Sequence, residues 1–209
     1  MSEFGNSVRR AVAVIAAAVC VICGATALVC GVYISMRGIN PGAVVNEEAV
    51  FYLSGESATE ITASVIASGY RRDGEAGVIH DGFVAKRLYT DKNAALLGGE
   101  VRELKIVGTA FTGENANASA EFYNAATEVV AEISELTDEL ETGKTSESLA
   151  TLTVSEYAVY LGEYSEGGAG GVAARSAALL MGCAGEGSGA GVKRAAVLLA
   201  ILLSTSLEA

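Results

Sequence analysis

Residues 183–209 read CAGEGSGAGVKRAAVLLAILLSTSLEA, a glycine-rich loop followed by two cations and an apolar run at 195–203. The reading of this stretch decides the fold. A lipid-directed tail leaves a separate body upstream, whereas a core helix makes that body close around it. At ~1.5 Å per residue the run rises about 14 Å, half of a ~30 Å hydrocarbon layer, so it does not span a membrane. It does match the form of a signal for a glycosylphosphatidylinositol (GPI) lipid anchor. Gly182, Cys183 and Ala184 are small attachment candidates, residues 185–194 form a polar spacer, and 195–209 form the hydrophobic tail. Glu208 and the cluster Ser204-Thr205-Ser206 depart from that form, and an amphipathic or core C-terminal helix is the competing reading.

The glycines of the same stretch fit a dinucleotide fingerprint at Gly185, Gly187 and Ala190. That motif also needs a second strand and an acid about twenty positions on, and only Glu208 follows. Thr142-Gly143-Lys144-Thr145 fails as a phosphate loop, because its first glycine would fall at Asp138, whose carboxylate repels phosphate.

At the other end, Arg9 and Arg10 precede an apolar run over 11–36 that is long enough to cross a bilayer. The two arginines before it, against Arg37 after it, orient the N-terminus to the cytosol. Ala25-Thr26-Ala27 supplies the small residues of a signal-peptidase site, with Ala27 the cleavage candidate. A cleaved signal and a retained signal-anchor both satisfy the pattern. Under either, residues 38 onward are translocated.

The net charge of −11 over 209 residues excludes a nucleic-acid partner, which needs a clustered basic face. One proline, no tryptophan and abundant alanine favour helix. Cys20, Cys23 and Cys30 lie in the N-terminal run and Cys183 in the tail, so packing rather than disulfides holds the middle together.

That middle is periodic. Phe122, Ala126, Val129, Ile133, Leu136 and Leu140 alternate steps of four and three, an amphipathic helix capped at Asn117 or Ser119 and stopped by Gly143. Its acids, Glu121, Glu128, Glu132, Glu135, Asp138 and Glu139, read as a solvated face. Ala150, Val154, Tyr157, Leu161 and Tyr164 repeat the steps, with a strand as the alternative there. Leu97, Val101, Leu104, Gly108 and Phe111 form a third stripe, and Ala58, Ile61 and Val65 a fourth. The spacing therefore predicts an all-α fold: an antiparallel helical-bundle ectodomain between a hydrophobic signal or anchor helix and a short hydrophobic C-terminal tail. Its parts are 1–36 signal or anchor, 37–46 linker, 47–166 bundle, 167–194 glycine-rich linker and spacer, and 195–209 tail.

Chemistry is sparse in this reading. The single histidine, His80, lacks the ligands of a zinc site, and no nucleophile motif or calcium loop occurs. Neither enzyme activity nor a cofactor is expected. Asn117-Ala118-Ser119 is a glycosylation acceptor triplet in a segment expected to be luminal.

The layout resembles the GPI-anchored, alanine- and glutamate-rich coat proteins on the surface of kinetoplastid parasites. The features that carry it are AVAVIAAAVCVICGATA, EFYNAATEVVAEISELTDELE and GCAGEGSGAGVKRAAVLLAILL. The resemblance implies a helical bundle standing off the membrane, working as coat or receptor at the cell surface. It transfers no binding residues. The second expectation is a bitopic membrane protein that serves as an assembly subunit, its N-terminal helix packing through Gly24, Gly31 and alanines. The partners expected are the lipid bilayer and either a second copy or another membrane protein.

Overall fold

The computed structural model describes residues 43–57, 70–73 and 77–207. The run at 11–36 with Ala27, and the stripe of Ala58, Ile61 and Val65, lie outside the described residues. The domain beginning at Val44 is mixed α/β, which overturns the all-α bundle. Its strands are β1 (Val44–Val45), β2 (Ala49–Ser57), β3 (Tyr70–Asp73), β4 (Gly77–His80), β5 (Phe83–Tyr89), β6 (Glu100–Ile106) and β7 (Ala110–Phe111). Its helices are α1 (Lys92–Leu96), α2 (Ala116–Glu141), α3 (Glu147–Gly162), α4 (Gly170–Ala184) and α5 (Gly189–Leu207). Five strands form one antiparallel sheet in the order β3-β4-β5-β2-β6, and β1 pairs separately with β7.

The sheet forms because its segments alternate rather than wind. In β6, Leu104 and Ile106 are buried while Glu103 and Lys105 are exposed, the period of two that a half-buried strand requires. The helical stripe assigned there included Leu97, which is 91% exposed, and skipped Ile106, which is fully buried. Gly99, at φ 134°, turns the chain into β6 in a conformation that side chains resist. In β2, Phe51 and Leu53 point to the core, and a bulge at Ser54/Gly55 lets the strand pass close to β5. A Cβ on Gly55 would lie 1.9 Å from the Val84 carbonyl oxygen, so no larger residue fits. Asp81 and Gly82, both at positive φ, make the two-residue turn that pairs His80 with Phe83.

The two periodic helices occur where the stripes placed them. In α2, Phe122, Ala126, Val129 and Ile133 are buried, and the helix stops at Gly143 with φ 69°. Its N-cap is Asn115 instead of Asn117 or Ser119. In α3, Ala150, Val154 and Leu161 are buried, and the Ser146 hydroxyl caps the start by accepting from the Leu149 amide.

The larger correction concerns the C-terminal stretch. Residues 167–194, read as a flexible linker and spacer, form α4 and the first turns of α5. The greasy tail is the central helix of the domain. α5 packs on β4, β5 and β6 and against α2, α3 and α4. Val192, Ala195, Val197, Leu199, Ala200 and Leu203 have no exposure. A helix apolar on every side belongs in a core, because no face of it gains from water.

Ion pairs fasten the ends of this core. Arg87 of β5 pairs with Asp138 and Glu141 of α2, and Lys193 of α5 reaches Glu141 at 2.8 Å. Arg194, 5% exposed, pairs with Glu186 in the turn between α4 and α5. Burial raises the Glu141 pKa, but the hydrogen bond from Lys193 and the charge of Arg87 outweigh it, leaving the carboxyl below the ordinary glutamate range.

Two outcomes follow from this packing. Leu199→Ala should cost about 2–5 kcal/mol in chemical denaturation, the range for a fully buried leucine. A chain ending at Arg194 should lose its cooperative transition altogether; a melting curve like that of the full chain would show that the tail is dispensable. Glu141, with its lowered folded pKa, stabilises above the ordinary glutamate pKa and loses that contribution as pH falls through the folded value. Glu141→Gln should therefore lower stability at pH 7 and flatten the acid decline, as read by denaturation at pH 7, 5 and 3.

Candidate functional site

The positions singled out from the sequence do not come together. Asn117 is exposed on the first turn of α2, but Ser119, the third member of its triplet, is buried. Gly182, Cys183 and Ala184 form the last turn of α4, with Cys183 only 2% exposed in the core. His80 closes β4, its Nε2 3.3 Å from Asp81. Among the described residues no group of three His, Cys, Asp or Glu side chains is arranged to hold a metal ion.

A concavity lies elsewhere on the domain. A cavity of about 720 Å³ lies between the start of β2, the outer face of α2 and the end of α3. Its volume is in the ~300–1,000 Å³ range of ligand sites. Each wall has a local cause. Glu47, Glu48, Ala49, Val50 and Phe51 form one side, and the Glu47 amide donates to Asn124 Oδ1 at 2.8 Å, pinning the strand's start to the helix. Glu121, Asn124, Glu128 and Ala131 recur every third or fourth residue along α2 and so share its outward face. The Thr127 hydroxyl, closed off from solvent beside them, has no hydrogen-bond partner among the described residues.

Tyr160, near the end of α3, and Tyr164, in the 3-10 turn Glu163–Glu166 that follows it, form the remaining side. Their rings meet edge to face at 5.8 Å and their hydroxyl oxygens lie 3.3 Å apart. Tyr164 also stands edge-on to the buried Phe122 ring at 5.9 Å, which fixes it against α2. The hydrogen bond with Tyr160 and then burial push the Tyr164 pKa up to about 12, with Glu121 and Glu163 adding to the rise. Within α3, burial and a hydrogen bond to Glu132 raise the Tyr157 pKa.

Tyr164 thus stays protonated at physiological pH. It offers a donor hydroxyl and an aromatic surface, and it is not a base. The described lining holds four carboxylates and no lysine or arginine, of which Glu48 is paired to Lys105 at 2.7 Å. Such a site suits recognition of a cationic group.

Compared with known protein families, with curated proteins and with solved structures, the chain matches none. The layout resemblance to helical coat proteins loses its structural half, because a five-stranded sheet stands where a bundle was expected.

Sequence reasoning read Glu121 and Glu128 as an ordinary wet face. Their seven-residue spacing, shared with Asn124 and Ala131, placed them in one line but gave no sign that a strand lay opposite. Tyr160→Phe removes the hydroxyl partner of Tyr164. In a difference titration of phenolate absorbance against the unaltered protein, one ionisation should move down from about 12 toward the ordinary value of ~10.

Proposed function

We propose that the chain is a single-span membrane protein, held by residues 11–36, whose α/β domain works outside the cytosol as a binding and assembly subunit. The observation that carries this reading is the burial of residues 195–203. In the folded domain those residues fill the core, so a lipid-anchor signal at the C-terminus would have to be cut out of it. The stretch left to deal with lipid is the N-terminal one, preceded by Arg9 and Arg10. A retained anchor suits a domain that begins at Val44, a few residues beyond the run. The acidic, tyrosine-walled groove supports a role in binding, and the partner follows from its charge.

The test is the intact mass of the protein recovered from membranes after an alkaline wash. A full-length mass in the pellet is expected. A soluble product lacking residues 1–27 would overturn the anchor. Loss of the residues after Ala184, with release by a phosphatidylinositol-specific phospholipase, would restore the lipid-tail reading.

A further inference from the structure

β2 is paired unevenly. Its whole length through Gly55 runs beside β6, from Ala49↔Ile106 to Gly55↔Glu100. On the other side β5 joins only at Tyr52↔Tyr89. The chain leaves the sheet there because Asp91 caps α1, its side chain accepting from the Ala94 amide. Ala49, Val50 and Phe51 therefore have no strand beside them on that side among the described residues. This stretch of strand forms a wall of the groove.

We propose that the groove binds an extended, basic segment of a partner protein, which adds as a short strand along Glu48–Phe51 in the line that β5 vacates. Strand addition suits the place because main-chain donors and acceptors at a sheet edge pair with any extended backbone. Four residues of strand rise ~13 Å, so the segment is short. Charge selects it. Glu47, Glu121 and Glu128 line both sides of the path, and no cation among the described lining residues opposes them. Lysine or arginine side chains on the added strand reach these carboxylates, and the Tyr160 ring, 42% exposed, takes a cationic head on its face. The inference deepens the assembly reading and rests on it for the partner's being a protein.

The test uses the full-length protein in detergent micelles and a fluorescein-labelled Lys-Val-Lys-Val-Lys-Val peptide, followed by anisotropy. Saturable binding is expected, weakened about tenfold or more in the double variant Glu121→Gln/Glu128→Gln and by raised salt. Both glutamates are solvent-facing, so an unchanged melting curve confirms that the variant folds. The same peptide with alternate backbone amides methylated keeps its charge but cannot complete a ladder, and it should bind at least tenfold more weakly. No saturable binding of the basic peptide overturns the proposal. So does equal binding by the double variant, by the methylated peptide or by a Glu-Val-Glu-Val-Glu-Val control. A protein that is full-length and membrane-held yet ignores the basic peptide loses the groove and keeps the anchor. One that is soluble yet binds with the expected selectivity loses the anchor and keeps the groove.

Discussion

One helix has to satisfy every layer of this domain at once. α5 lies with β4, β5 and β6 on one side and α2, α3 and α4 on the others, so both the sheet and the helical layer bury their apolar faces against the same residues. Alanine at 195, 196 and 200 keeps the helix narrow enough for close approach, while Val197, Leu199, Ile201 and Leu203 supply the bulk. At roughly 25 cal/mol per Å² of apolar area, a helix buried along most of its length holds both layers together. The cations at its start are the compensating cost. Arg194 enters a poorly hydrated region and is tolerated because Glu186 meets it, while the more exposed Lys193 pairs with Glu141.

Charge is distributed with the same economy. Four acids of α2 fall into two functional groups along one helix. Asp138 and Glu141 at its end are consumed in holding Arg87 and Lys193, and so serve the fold. Glu121 and Glu128, two turns apart nearer its start, face an open concavity and remain available to an external cation.

The legible parts of the fold were those in which one face is buried and the pattern is long. α2 and α3 repeat their apolar residues over several turns, and nothing in the sheet competes with that period. The strands were hidden for identifiable reasons. Leu97, Val101 and Leu104 mimic helical steps by chance, and the decisive residue was Ile106, which only the alternation with Glu103 and Lys105 brings out. Asp81-Gly82 is a readable hairpin signal, pairing His80 with Phe83 across a two-residue turn. The 195–203 run was ambiguous in principle, because a buried helix and a lipid-directed tail share the same composition; only tertiary contacts separate them. The groove could not be read at all, since it exists between a helix and a strand seventy residues apart in sequence.

The position of α5 in the chain has a bearing on how the molecule comes to exist. The sheet strands precede the helix that covers them in the chain, so the apolar faces of β2, β5 and β6 have no cover until residues 189–207 have been made. During that interval the apolar face of the sheet is exposed to its neighbours, the condition under which partly folded chains associate wrongly.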